Sequence, residues 1–197
     1  GTLSQDWGDF DRDGYLDLVL GSSLGPTVYR NNAGRLIKFA GLESTRPAYG
    51  VRWADLNADG QLELIAVGDS ADGTPSGTGI NRVYTNLNGV FSETSSFTST
   101  YQLVRVIAVN FNPAVTSTID LIASTNSINA PCPVQRFRND GSGQFTPGEC
   151  LSPDATAALS TGDFNNDGLP DLVLGRFPNA VRLLINHGGV LTVTNTV

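Results

Sequence analysis

One acidic stretch occurs three times in this chain, each time at the mouth of an apolar run. It reads "DFDRDGYLDLVLG" at 9–21, "DLNADGQLELIAVG" at 55–68 and "DFNNDGLPDLVLG" at 163–175. The first and last copies match at nine of thirteen positions, and the same offset pairs "NNAG" at 31–34 with "INHGG" at 185–189. A fourth copy, "VNFNPAVTSTIDLIAS" at 109–124, has lost the glycine and gained length. The loops start at Asp9, Asp55, Asn110 and Asp163, at spacings of 46, 55 and 53 residues. A repeat of this length cannot bury its own faces, so neighbouring units must pack against one another.

Each unit alternates short apolar runs with turn residues. In the first unit the runs are "LSQDWG", "YLDLVLG", "TVYRN" and "RLIKFA". Their β-branched and aromatic content and their period of two predict strands. The Asn/Gly turns "NNAG", "NLNG", "NDGSG" and "NHGG" separate the third run from the fourth. No capped amphipathic segment of helical length is present. The expected fold is all-β, a β-propeller of four-stranded antiparallel blades with four blades in this chain. The blades fall at approximately 1–47, 48–100, 101–153 and 154–197 of a single propeller domain or propeller fragment. The chain lacks Met and begins at Gly1, which implies a processed product or a piece of a longer protein.

The formal net charge is −7, and the eleven arginines and one lysine are scattered. That balance argues against a nucleic-acid partner, because a phosphate backbone needs a basic surface. No apolar run approaches the ~18 residues of a transmembrane segment. The two cysteines, Cys132 and Cys150, flank a predicted hairpin centred on Gly141. A disulfide across that hairpin is expected, and it implies an extracellular or secreted (extracytoplasmic) location.

The chemistry of the loop follows from its grid. Positions 1, 3 and 5 are Asp9, Asp11 and Asp13, then Asp55, Asn57 and Asp59, then Asp163, Asn165 and Asp167. Position 6 is glycine, and position 9 is Asp17, Glu63 or Asp171. Position 7, Tyr15, Gln61 or Leu169, would offer its backbone carbonyl. Oxygen-only donors at alternating positions around a glycine turn suit a hard cation, and Ca²⁺ better than Mg²⁺. An EF-hand is excluded, because position 12 holds Leu20, Ala66 and Leu174 instead of Glu. These three windows hold ten of the nineteen acids, and about three Ca²⁺ ions would offset their repulsion. The degraded loop keeps only Asn110, Asn112 and Asp120, and weak calcium binding or none is expected there.

"DFDRDGYLDLVLG" and "DFNNDGLPDLVLG", with "VYRNNAGRLIKF" and "VQRFRNDGSGQF", resemble the FG-GAP and VCBS repeats of integrin-α-like β-propellers. The resemblance covers essentially the whole chain. It implies calcium held between the first and second strands of a blade, at the three grids named above.

Catalytic residues are not evident. His187, the one histidine, sits in the turn "NHGG". Ser23 in "GSSLG" matches a nucleophile-elbow pattern, but the strand-like "PTVYR" follows where a helix is required. The expected function is a non-enzymatic adhesion or ligand-binding module for a protein or glycan. Its ligand would lie on the face opposite the calcium loops. That face carries the two long second-to-third-strand loops, 68–81 and 124–133. The alternatives are a structural assembly subunit that self-associates into a ring or fibre, and an accessory domain of a secreted hydrolase or lyase.

Overall fold

The computed structural model describes the whole chain except residues 1, 40, 41, 43–45, 75, 115, 128, 155, 177–179 and 197. Sixteen strands form four four-stranded antiparallel sheets, each a meander in chain order. The first sheet holds β1 (Thr2–Gly8), β2 (Asp17–Ser22), β3 (Thr27–Asn32) and β4 (Arg35–Lys38). The second holds β5 (Gly50–Ala54), β6 (Glu63–Ser70), β7 (Gly79–Leu87) and β8 (Val90–Ser99). The third holds β9 (Arg105–Val109), β10 (Asp120–Ser124), β11 (Val134–Asn139) and β12 (Phe145–Ser152). The fourth holds β13 (Thr156–Gly162), β14 (Asp171–Arg176), β15 (Ala180–His187) and β16 (Val190–Thr196). No helix among the described residues is long and apolar enough to cross a membrane.

The sheets bury their apolar faces against one another. Phe10, Val19 and Val28 of the first unit pack with Val51, Trp53, Leu64, Tyr84 and Phe91 of the second. Leu56, Ile65, Val83 and Phe97 of the second pack with Val106, Leu121, Phe137 and Phe145 of the third. Phe111, Ile122 and Val134 of the third pack with Leu172, Leu174 and Leu184 of the fourth. The first strands β1, β5, β9 and β13 contact one another in that order. The architecture is therefore propeller-like, a succession of blade-sized sheets. Of the two expected forms, a single propeller domain or a propeller fragment, the described sheets do not form a closed disk. Among the described residues no core cluster joins the first sheet to the fourth.

Two sequence expectations are revised locally. The loop expected at 68–81 is shorter, because β6 runs to Ser70 and β7 begins at Gly79. A buried ion pair, Asp69 with Arg82 at 2.8 Å, holds those strand ends together. Residues 75 and 128 of the two long loops lie outside the described residues. Cys132 and Cys150 are joined, with Cα atoms 5.6 Å apart. The hairpin, however, pairs Asn139 with Phe145, which centres it on Ser142 instead of Gly141. Irregularities near Val134 and Gln135 then set Cys150 opposite Gln135. Cys132 precedes β11 and reaches across diagonally.

Candidate metal centres

Each acidic loop links the first strand of a sheet to the second, and the same hydrogen-bond frame builds it three times. The position 1 carboxylate accepts two backbone N–H groups, from positions 5 and 6. Asp9 takes those of Asp13 and Gly14, both at 3.0 Å. Asp55 takes those of Asp59 (3.1 Å) and Gly60 (2.8 Å), and Asp163 those of Asp167 (3.0 Å) and Gly168 (2.8 Å). Position 3 accepts a second bond from the position 5 amide, and position 5 accepts from the amide of position 7. The winding needs left-handed backbone twice. Position 4 (Arg12, Ala58, Asn166) has φ of 60° in all three loops, and the position 6 glycines have φ of 91°, 80° and 85°. The second of these turns is the glycine's physical reason.

Position 9 opens the second strand and is buried. Asp17 accepts Phe10 N–H at 3.1 Å on one oxygen and Asn31 N–H at 2.7 Å on the other. Asp171 repeats this with Phe164 and Asn186, both at 2.8 Å. The residue therefore ties the loop's start to the third strand. Glu63, one methylene longer, takes Leu56 N–H at 2.8 Å, and its buried Oε1 has only the Asn86 backbone amide near it, short of a full hydrogen bond. Burial foremost, with repulsion from Asp59 and Asp55, pushes the Glu63 carboxyl up to about 7. Burial, with the Asp11 and Asp13 charges, also raises Asp17.

In the first loop, Asp9, Asp11 and Asp17 each present an oxygen within 4.8 Å of the others. Asp13 stands apart from that cluster. Its Oδ1 accepts Tyr15 N–H at 2.9 Å and its Oδ2 lies 3.6 Å from Arg30, which also pairs with Asp11. No second acidic triad is gathered among the described residues. In the other two loops position 3 is an amide, and Asn57 and Asn165 donate to Asp59 and Asp167 at 3.1 and 2.8 Å. The donor set is all oxygen. These residues fit a hard cation.

The degraded loop solves the same problem differently. Asp120 at position 9 still accepts Asn139 N–H at 2.9 Å. Its other oxygen takes the Arg136 Nε and Nη2 groups at 2.8 and 2.6 Å. Arg136 also lies over the Phe111 ring, 5.0 Å from the centroid. Asn110 is used internally, accepting Asn112 N–H at 2.9 Å and donating to Thr116 O at 2.6 Å.

Sequence reasoning missed the asparagine that closes each third strand. Asn86 donates to Phe10 O at 2.7 Å, Asn139 to Leu56 O at 2.8 Å and Asn186 to Phe111 O at 2.6 Å. Each acceptor is the position 2 carbonyl of the preceding unit's loop. The signal was the recurrent Asn in the turn strings, which local turn chemistry already accounts for. Asn186, not Ile185, is the structural counterpart of Asn31, so the first and last units differ by one inserted residue after their second strands.

Repeated four-stranded sheets, joined face to face and three of the four opened by an acidic, glycine-turned loop, define a class of β-repeat protein. A model of the FG-GAP-like repeat matches residues 9–66 and 118–174, and the chain belongs to that family. The matched segments leave out Asn110 and Asn112 of the degraded loop. Two solved structures share the fold. One is an Agrocybe aegerita lectin that recognises non-reducing terminal N-acetylglucosamine, at 15% identity and TM-score 0.60, covering 96% of this chain and 50% of that one. The other is the V. cholerae biofilm matrix protein Bap1, at 18% identity and TM-score 0.52, covering 95% and 27%. The chain thus spans half the length of the lectin and about a quarter of Bap1. No curated protein sequence matches it.

Proposed function

We propose that the chain is a calcium-stabilised, integrin-α-like β-propeller unit, secreted or extracellular, acting as a non-enzymatic adhesion or ligand-binding module. It forms a single propeller domain or part of one, with blades at approximately 1–47, 48–100, 101–153 and 154–197. The carrying observation is the loop frame built three times from the same hydrogen bonds, with all-oxygen donors. Calcium supplies a fixed positive charge there when bound. The chain's own residues hold the loop wound and tie it to the third strand through Asp17 and Asp171. The ligands are Asp9, Asp11, Asp13, the Tyr15 carbonyl and Asp17, with the corresponding residues of the 55–63 and 163–171 loops. The disulfide supports an oxidising compartment.

The same-fold lectin and biofilm matrix protein support a binding role without catalysis, for a protein or glycan. Ser23 and His187 are exposed residues beside turns. A cavity of about 450 Å³ lies where the first strands meet the connections at the end opposite the acidic loops. Tyr49, Arg52, Gln102, Arg105 and Asn126 line it, giving an aromatic face with amide and guanidinium donors suited to sugar hydroxyls or carboxylates.

Native mass spectrometry under calcium titration tests the metal reading. Three ions should bind, and Asp13→Ala should lose one. Thermal unfolding should shift upward with millimolar Ca²⁺ relative to EDTA, by ~2.7 kcal/mol of stability at 100 times the dissociation constant. No shift would sink the metal reading. A glycan array without a hit would sink the glycan reading, and glycan binding left unchanged by Arg52→Ala and Arg105→Ala would sink this cavity as its site.

A further inference from the structure

The first acidic loop carries one more acid than the other two, and a residue of the third strand answers it. Position 3 is Asp11 there and an asparagine, Asn57 or Asn165, in the others. Those amides donate to the position 5 Oδ2, of Asp59 at 3.1 Å and of Asp167 at 2.8 Å. A carboxylate at position 3 has no such proton to give. In its place Arg30 on β3 pairs its Nε with Asp11 Oδ2 and sets its Nη2 3.6 Å from Asp13 Oδ2. With Arg30 counted, the formal charge of Asp9, Asp11, Asp13 and Asp17 falls from −4 to −3, the charge that the acids of each other loop carry alone. Arg12, the loop's own cation, is turned away onto the Asp59 and Gly60 carbonyls of the second loop, at 3.3 and 2.9 Å.

The pairing of Arg30 follows the acids. It precedes Asn31, and the counterparts before Asn86 and Asn186 are the uncharged Thr85 and Ile185. The third unit does hold a cation at this place, Arg138 before Asn139. Its loop has no acid at positions 1, 3 or 5, and Arg138 pairs with Glu149 instead. The two members of the first-loop pair are also held unequally. The Asp11 side chain is 12% exposed and that of Arg30 is 51% exposed, so the acid is fixed and the guanidinium is free to leave into solvent. Asp11 belongs as well to the one gathered triad, with Asp9 and Asp17.

We infer that Arg30 is a tethered competitor for calcium at the first loop, contending with the ion for Asp11 and Asp13 and holding the calcium affinity there below what four carboxylates would give. Calcium binding then releases the guanidinium to solvent. Ligand charge sets the affinity of an all-oxygen calcium site, and a like charge a few ångström from a divalent ion opposes it even in water. The second and fourth sheets bring no cation to the same place, so Arg30 acts on one loop of the three. The inference rests on the calcium reading and adds to it a residue that tunes one site.

Calcium titration of the 197-residue chain, followed through the amide signals of Gly14, Gly60 and Gly168, reads each loop separately. Arg30→Gln should raise the affinity read at Gly14 by about tenfold or more, as removal of a like charge beside a divalent ion does. The affinities read at Gly60 and Gly168 should stay unchanged. Arg30→Lys keeps the charge and should stay near the parent. The gap between the parent and Arg30→Gln should narrow as added salt screens the guanidinium, which a merely structural role would not produce. Arg30→Met keeps the apolar stem without the charge and replaces Arg30→Gln if that variant unfolds. A first-loop affinity in Arg30→Gln equal to or below the parent's, with Gly60 and Gly168 still responding to calcium, overturns the inference alone. So does an Arg30→Lys chain that binds like Arg30→Gln. Calcium shifts at none of the three glycines sink the metal reading, and this inference with it.

Discussion

Arg136 stands where the first two units place Val28 and Val83, and in the third unit it pairs with the position 9 carboxylate. It faces Asp120 with both groups buried, so each compensates the other. Removing one partner of such a pair leaves a buried charge, which costs about 3–5 kcal/mol. Arg136→Met should therefore lower stability by that amount in urea unfolding, whether or not calcium is present. Adding Asp120→Asn should restore most of it, and a single variant as stable as the parent would remove this account of the third loop. Glu63 makes the opposite case, a buried acid with no guanidinium. Its carboxyl moves from the usual 4.5 up to about 7 on folding, so the folded chain holds the proton more tightly than the unfolded one. That stabilisation is complete below the unfolded value and is lost as pH rises through about 7, a loss of about 3 kcal/mol. The buried Asp17 shifts in the same direction. In calcium-depleted protein, stability measured by urea should fall between pH 5 and pH 8, and Glu63→Gln should flatten most of that slope. Saturating calcium should also flatten it, since the cation holds the carboxylate ionised. A flat profile without calcium would contradict the assignment.

Among the elements, the strand-closing asparagines do two jobs, and the chain contains its own control. Asn186 is buried, donates to two carbonyls and accepts Gly189 N–H at 2.7 Å. Asn31 donates to Leu16 O and accepts Gly34 N–H at 2.8 Å, beside solvent. Losing a buried bond strands its partner, at about 1–3 kcal/mol each. Asn186→Ala should thus cost about 3 kcal/mol and Asn31→Ala about 1 kcal/mol, read from denaturant midpoints. Equal costs would mean the bond between units contributes nothing. The comparison also marks how far the sequence was legible. The acid–glycine grid and the strands after it are local features with fixed spacing, so the meander and the three wound loops could be read directly. Two things could not be. The bond from Asn186 to Phe111 spans 75 residues and leaves no trace in either local pattern. The ion pair of Arg136 depends on which face of β11 the side chain takes. The hairpin centre shifted by one residue for a related reason: its irregularities arise from pairing, which counting from the cysteines cannot register.

For the whole molecule, stability should be graded along the stack, because the main contacts of each described sheet are with its neighbours in sequence. The second and third sheets are covered on both faces, and the first and fourth on one. The burial along individual strands follows this. All eight residues of β6 and all five of β10 are buried, whereas all four of β4 are exposed. Local opening requires breaking the contacts that cover a strand, so opening free energies should follow the same order. Native-state amide exchange should therefore be slowest in β6 and β10 and fastest in β4, with β2 and β14 between them. Calcium should slow exchange first in the amides that the acidic loops hold, those of Asp13, Gly14, Asp59, Gly60, Asp167 and Gly168. It should leave Asn112 and the rest of the third loop unchanged. Uniform exchange across the four sheets would show a single cooperative unit and would refute the graded stack. Calcium protection at Asn112 equal to that at Asp59 would refute the division of labour between metal and arginine.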